Sequence, residues 1–267
     1  MQLSENITDY YFDHAADLPP DKQFHFATRL AAWSGDQRAF ALLRSLRSTV
    51  APESYSQTAI KAMLAELLKQ PPAAAINAHT LRAPYFEAYP QLRGLDFALF
   101  RVRHLLAVYG IDGRESLLEL VSYDELQNLK HALLADPQAM RILSTYAVNF
   151  IYLVDDILFN QGRPVDPAQF LVASDGYDLA DRQHIQLFIY LYTHCLIGAT
   201  NFYTRPLPSA FATIYKTMVA ALEKTIDRHF PDINLDNKLE YLVCCRIAGH
   251  ASPLFERIYS ECRKSIS

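Results

Sequence analysis

Two adjacent carboxylates, Asp155 and Asp156, stand near the end of the apolar stretch NFIYLVDDILFNQG, which spans residues 149–162. Carboxylate pairs commonly bind Mg²⁺, because hard divalent cations prefer oxygen ligands. Successive residues of an α-helix, however, point about 100° apart. Asp156 therefore shares one side of a predicted helix with Asn149, whereas Asp155 falls among apolar neighbours and needs a partner of its own.

The segment DDILF, residues 155–159, resembles the aspartate-rich motif of the class I isoprenoid synthases, which are all-helical enzymes built around a central cavity. The resemblance implies Mg²⁺ held by carboxylates one helical turn apart, and diphosphate held by the metal. The chain departs from this motif, because Leu158 and Phe159 stand where the next carboxylate is required. The closest candidate for a second metal motif, NLDNKLE at 234–240, has the wrong spacing. We therefore expect no metal and no cofactor.

Asn237 and Glu240 within that second segment fit better as a pair that caps the start of a helix. None of the familiar catalytic motifs for hydrolysis, phosphate binding or dinucleotide binding occurs along the chain. The candidate chemistry therefore depends on isolated polar residues within the apolar helices.

A second set of polar residues interrupts the apolar stretch LFIYLYTHCLIGATNFYT, residues 187–204. At helical spacing, Tyr190, His194 and Asn201 fall on one side, and Gly198 beside them would allow a ligand or another backbone to approach closely. Arg205 follows the end of this predicted helix. It could bind a carboxylate or phosphate, or it could instead cap the carbonyl groups of its own helix.

These two polar stripes admit two interpretations. If they face each other, they line an internal small-molecule pocket, with His194 as an acid or base and Asp156 as an orienting residue or metal ligand. Otherwise they form a satisfied hydrogen-bond network in the core, or they face solvent. The candidate site residues are Asn149, Asp155, Asp156, Tyr190, His194, Asn201 and Arg205.

The elements that position these residues are predicted to be helices throughout. Helix start and stop signals recur, including Gly35 and Gly110 after periodic runs and a capping box from Ser122 to Glu125. We predict an all-α, compact bundle of roughly ten or more helices in one domain, 1–267, around two long apolar helices at 137–160 and 179–204. A degenerate helical repeat is the alternative architecture.

Composition narrows the possible partners and location of the 267-residue chain. A net charge of −4 and the lack of a strong basic run argue against nucleic acid as a partner. No apolar run reaches the roughly 20 residues that span a bilayer, and no signal peptide is evident, so we expect no membrane insertion. The four cysteines form no C-x-x-C pair, which favours reduced thiols in a cytoplasmic protein.

The leading functional hypothesis is a soluble binding protein whose partner is another protein, a peptide or a like subunit, because no catalytic motif is assembled. Its contacts would be aromatic residues in poorly periodic segments, since Tyr and Phe are favoured at interface cores. These residues are Tyr10, Tyr11, Phe12, Tyr85, Phe86 and Tyr89. The alternative is an enzyme or receptor with an internal small-molecule site between helices 137–160 and 179–204.

Overall fold

The computed structural model describes residues 2–46, 56–69, 81–159 and 164–266. Within these ranges the chain forms 15 α-helices and no strand, which confirms the predicted all-α fold. The helices are, in chain order, α1 (Gln2–Asp13), α2 (Pro20–Ser34), α3 (Gln37–Ser45), α4 (Gln57–Leu68), α5 (Ala83–Ala88), α6 (Leu92–Tyr109), α7 (Arg114–Leu118), α8 (Tyr123–Ala135), α9 (Pro137–Leu143), α10 (Thr145–Val154), α11 (Ala168–Ser174), α12 (Arg182–Ala199), α13 (Ala212–Arg228), α14 (Leu235–Ala248) and α15 (Phe255–Ile266). A π-helix, Asp155–Phe159, directly follows α10.

The local sequence accounts for several helix ends. Ser122 accepts a hydrogen bond from the backbone N–H of Glu125, and the Glu125 carboxylate accepts one from the backbone N–H of Ser122, which forms the predicted capping box of α8. Gly35 and Gly110 adopt left-handed conformations after α2 and α6, as expected for helix-ending glycines. These caps satisfy backbone groups that the helices themselves leave unpaired.

The core is organised around α10, which packs against both α6 and α12. Residues 147–154 of α10 are all buried, and α12 is buried from Leu187 to Ala199 apart from Tyr190. α12 in turn packs against α13 and α14. Burying these apolar side chains supplies the main driving force for folding, at roughly 25 cal/mol per Å² of apolar surface.

The predicted continuous helix at 137–160 is wrong, because the chain breaks at Ser144. This residue has φ 47° and ψ −107°, which separates α9 from α10. The carbonyls of Arg141 and Ile142 lose helical partners there, but the Tyr177 hydroxyl donates to the first at 2.6 Å and Arg82 Nε to the second at 3.1 Å. The break therefore leaves these two carbonyls paired. Residue 160 lies outside the described residues.

The second predicted central helix, 179–204, is shorter than expected. α12 begins after Asp181, whose carboxylate accepts hydrogen bonds from two backbone N–H groups of the first turn, and it ends at Ala199. Asn201, Phe202 and Tyr203 then adopt positive φ values of 47°, 50° and 75°. The expectation of two long central helices is thus not confirmed, although α10 and α12 do pack together at the centre of the bundle.

The N-terminal helices have a small core of their own. Phe24 and Ala27 of α2 pack with Leu43 and Leu46, and Tyr109 of α6 lies against this cluster. The Tyr109 hydroxyl donates a 2.8 Å hydrogen bond to the carbonyl of Leu43. α2 and α3 therefore lie over one end of α6, close to the polar residues described below.

The aromatic residues predicted as contacts differ widely in burial. Tyr10 and Tyr11 are 53% and 45% exposed, whereas Phe86 is buried at 2%. Tyr85 and Tyr89 pack against the main core, and the Tyr89 hydroxyl donates to Asp136. Among the described residues, no helix combines the length and apolar character needed to cross a membrane.

Candidate functional site

Asn149 and His194 meet in the core between α10 and α12. His194 Nδ1 lies 2.9 Å from Asn149 Oδ1. Because a carbonyl oxygen can only accept, Nδ1 carries the proton and Nε2 keeps its lone pair. Burial, together with the charges of the nearby Arg29 and Arg82, lowers the pKa of His194 to about 3. The imidazole is therefore neutral at physiological pH.

Glu240 of α14 faces the other edge of the same imidazole. Its Oε1 lies 3.9 Å from His194 Nε2, and its Oε2 accepts a 3.0 Å hydrogen bond from the Thr193 hydroxyl. Burial, together with the neighbouring carboxylate of Asp236, raises the pKa of Glu240 to about 7. Strongly shifted carboxyl groups of this kind are typical of functional sites. Asn149, His194 and Glu240 are called the histidine site from here on.

The prediction that Asn237 and Glu240 cap a helix start is wrong. α14 is capped by Asn234, whose side chain accepts from the backbone N–H of Asn237, and Glu240 lies one turn further along. The missed signal was periodicity, because Glu240 stands three residues after Asn237 and four residues before Cys244. Both of these neighbours are buried, so Glu240 also points inward.

The helix α2 contributes residues that the sequence interpretation did not connect with this site. Arg29 Nη1 donates a 3.1 Å hydrogen bond to the Tyr203 hydroxyl, and its charge acts on both His194 and Glu240. The Phe24 ring lies edge-on against His104 of α6, with centroids 5.1 Å apart. Burial, together with the charge of Arg103, lowers the pKa of His104 to about 3.

The turn at Asn201, Phe202 and Tyr203 is a strained left-handed segment. The left-handed conformation costs roughly 1–2 kcal/mol per non-glycine residue, and three in succession are unusual. Arg103 of α6 holds the turn by donating from Nη2 to the Asn201 backbone carbonyl at 2.7 Å and from Nε to Asn201 Oδ1 at 3.1 Å. Backbone strain of this kind clusters at functional sites.

Asp156 and Arg205 lie next to the turn that Arg103 holds. The Arg205 guanidinium lies 3.6 Å from Asp156 Oδ1, and the side chain of Asn201 is a further polar neighbour of this carboxyl group. Burial raises the pKa of Asp156, while the charges of Arg205 and Arg103 oppose the shift. Arg103, Asp156, Asn201 and Arg205 are called the arginine site from here on. Three of the seven predicted residues lie together in it.

Asp155 is separate from both sites. Its carboxylate forms a direct ion pair with Lys130 of α8, and the two side chains are 20% and 17% exposed. A lysine ammonium thus supplies the partner that this carboxylate required among apolar neighbours. The two adjacent aspartates therefore have different surroundings, because Asp156 faces Arg205 instead.

Tyr190 and Gly198 occupy the edges of the predicted pocket. The Tyr190 ring lies 6.1 Å from that of His194, and its hydroxyl accepts a hydrogen bond from Gln186 on the same helix. Gly198 packs against Tyr152, since a Cβ built there would lie 2.4 Å from the Tyr152 Cδ2 atom. The close approach that glycine allows is therefore made by an aromatic ring of α10.

A cavity of about 630 Å³ lies on another part of the surface, between α4, α5, α6 and α8. None of the seven predicted site residues lines it. Its lining residues are Leu68, Ala88, Tyr89, Gln91, Leu95, Leu120, Val121, Glu125, Asn128, Leu129 and Ala132. Within the described ranges, no group of three or more His, Cys, Asp or Glu side chains is arranged to hold a metal ion.

Comparison with known proteins gives no relative. No protein-family model matches the chain, and no curated protein or solved structure is detectably similar to it. The function therefore has to be argued from the geometry of the histidine and arginine sites alone.

Proposed function

We propose that the protein binds a small anionic molecule, a carboxylate or a phosphate, at the arginine site. The observation that carries the proposal is a cluster in which the Arg205 guanidinium lies 3.6 Å from Asp156 Oδ1 and the positive charge of Arg103 also acts on this carboxyl group. One carboxyl group can compensate at most one of the two positive charges of Arg103 and Arg205. Arginine is the residue best suited to bind a planar carboxylate or a phosphate.

Arg205 is the residue positioned to meet the ligand. Its side chain is 49% exposed, and its 3.6 Å separation from Asp156 exceeds a normal hydrogen bond. Arg103 has a different role, because it already donates two hydrogen bonds to Asn201 and thereby fixes the turn. The strain in this turn is explained if it presents Arg205 and Asn201 in a fixed orientation.

The test measures binding of inorganic phosphate and of succinate by isothermal titration calorimetry. Wild-type protein should bind at least one of these anions, and Arg205→Gln should weaken binding about tenfold or more, because charge-assisted hydrogen bonds are lost. Arg114→Gln is the matched control, since Arg114 is 45% exposed and pairs with Asp112 instead. Absence of binding to both anions, or equal binding by wild type and Arg205→Gln, would overturn the proposal.

Association with another protein, a peptide or a like subunit is the second candidate function. It is supported by the exposed rings of Tyr10 and Tyr11 on α1. Aromatic residues of this kind are enriched at the centres of interfaces. Analytical ultracentrifugation of wild type and the double variant Tyr10→Ala, Tyr11→Ala tests self-association. A monomeric wild-type protein would eliminate the like-subunit version of this hypothesis.

We also propose that the protein works in the cytoplasm. Cys195, Cys244 and Cys245 are buried free thiols, and Cys262 is a partly buried one. Free thiols are typical of a reducing compartment. Thiol titration of protein taken directly from cells should find four reactive thiols after denaturation, whereas a smaller number would indicate an oxidising environment.

A further inference from the structure

His194 Nε2 and Glu240 Oε1 face each other, and neither forms a hydrogen bond with another of the described residues. Nδ1 of the imidazole is used by Asn149, which leaves the Nε2 lone pair directed toward Glu240. The 3.9 Å between Nε2 and Glu240 Oε1 is too long for a direct hydrogen bond. Thr193 occupies the other carboxyl oxygen of Glu240. An acceptor nitrogen and a carboxyl oxygen thus face each other without bonding.

A group that can donate to the imidazole and also accept from a protonated carboxyl would satisfy both sides. A hydroxyl has this property, because one oxygen carries one donor and two acceptor positions. An ammonium group has no acceptor position, and the cations Arg29 and Arg82, which already act on His194, would repel it. The His194 and Glu240 side chains keep 11% and 17% exposure, so a ligand atom can reach them.

We infer that the gap between His194 and Glu240 is a subsite for a hydroxyl group of the bound anion, so that the ligand is a hydroxylated carboxylate or phosphate. This inference rests on the proposed anion binding at the arginine site. Arg29 and Tyr203 lie between the histidine site and the arginine site. The charge of Arg29 influences His194 and Glu240, and its guanidinium donates a hydrogen bond to the Tyr203 hydroxyl of the left-handed turn.

The two subsites lie on different parts of the chain. His194 belongs to α12, whereas Asn201 and Arg205 follow the end of this helix at Ala199, in and after the left-handed turn. A ligand that reaches both subsites therefore carries its hydroxyl and its anionic group at separate positions of a carbon chain, as an ω-hydroxy carboxylate or a sugar phosphate does.

The experiment compares matched anions with and without a terminal hydroxyl, by isothermal titration calorimetry. Butanoate, hexanoate and octanoate are each measured against their ω-hydroxy derivatives, and hexyl phosphate against 6-hydroxyhexyl phosphate. The hydroxyl should improve the affinity of wild type about three- to tenfold at the length that fits, which is the usual gain from one neutral hydrogen bond. The two arms separate a carboxylate ligand from a phosphate ligand.

Variants identify the groups that bind the hydroxyl. In His194→Phe and Glu240→Ala the affinity ratio between hydroxylated and parent anion should fall to about one. His131→Gln, a change at an exposed histidine, should keep the wild-type ratio. If the hydroxyl gives no gain at any length, or gives the same gain in His194→Phe, the inference is wrong while anion binding stands. If no parent anion binds, or Arg205→Gln has no effect, the proposed function fails and this inference fails with it.

A ligand-free measurement tests the same subsite if the variants fold poorly. Nitrogen-15 NMR of histidine-labelled wild type, with His194 assigned from His194→Gln, reports which ring nitrogen carries the proton. The proton is expected on Nδ1. A proton on Nε2 would remove the acceptor from the gap and overturn the inference, whether or not anions bind.

Discussion

His194 Nε2 lies 3.9 Å from Glu240 Oε1, and burial favours the neutral form of both groups. The pKa of His194 falls to about 3, and the pKa of Glu240 rises to about 7. His194 is therefore neutral at neutral pH, whereas Glu240 exchanges its proton close to pH 7, and the two groups contribute to stability in opposite pH directions.

Glu240→Gln should gain stability relative to wild type as the pH rises. The raised pKa means that the contribution of Glu240 to stability is fully present below its ordinary value of 4.5 and is lost as the pH rises through about 7. Thr193, His194, Arg29, Asp236 and Cys244 are the groups that face it or act on it. Urea unfolding at about pH 5 and about pH 8 should show a relative gain of about 2–3 kcal/mol for the variant. If the variant and the wild type differ in stability by the same amount at both pH values, Glu240 does not titrate with a raised pKa.

His194→Gln should respond to acid less than wild type does. The lowered pKa means that the contribution of His194 is fully present above its ordinary value of 6.5 and is lost as the pH falls toward about 3. At about pH 5 the wild type has lost about 2 kcal/mol of stability through this titration, whereas the variant has no histidine at this position and loses none of it. Equilibrium unfolding at about pH 7.5 and about pH 5 provides the comparison. Parallel losses in the two proteins would show that His194 does not titrate in this range.

The all-α fold follows from helical periodicity and recognisable caps, such as the Ser122 capping box and the glycine at position 110. The break at Ser144 could not be predicted, because it carries neither Pro nor Gly. Its freed carbonyls are satisfied by Arg82 and Tyr177, which are distant in sequence. Local patterns cannot report such long-range compensation.

The candidate site, too, could be predicted from local sequence only in part. One of the two interpretations of the polar stripes on α10 and α12 had them facing each other, and Asn149 and His194 do meet between these helices. Arg29 and Glu240 belong to other helices, and their approach to the site depends on how α2 and α14 pack. That packing is a tertiary property, so the sequence pattern named two of the three residues of the histidine site and missed Glu240.

Ser144→Gly should be more stable than Ser144→Ala. Both changes remove the 3.0 Å hydrogen bond from the Ser144 hydroxyl to the Leu187 carbonyl, but only glycine adopts φ 47° without strain. The expected difference is about 1–2 kcal/mol in favour of glycine. At an ordinary helix interior alanine would be the more stable by about 1 kcal/mol. Thermal or urea unfolding shows which of the two variants is the more stable. If Ser144→Ala is the more stable, the backbone is not strained at this residue.

Lys130→Met should destabilise the protein more when Asp155 is present than when it is absent. The ion pair is mostly buried, so removing the lysine leaves an uncompensated carboxylate and costs about 2 kcal/mol. In an Asp155→Asn background the same change should cost much less. A double-mutant cycle by urea unfolding measures the coupling, and additive losses within about 0.5 kcal/mol would mean that the pair is not formed in solution.

Gly198→Ala should destabilise the wild type by about 2–3 kcal/mol, because the new methyl group would overlap the Tyr152 ring at 2.4 Å. The ring cannot easily move, since it is buried and its hydroxyl lies 3.4 Å from Cys195 Sγ within hydrogen-bonding distance. In a Tyr152→Ala background the overlap disappears. The same substitution should then be neutral or stabilising by up to about 1 kcal/mol, because alanine is the better helix former. Urea unfolding of the four proteins measures this change of sign. If Gly198→Ala lowers the free energy of unfolding equally in both backgrounds, the Tyr152 ring does not restrict the side chain at position 198.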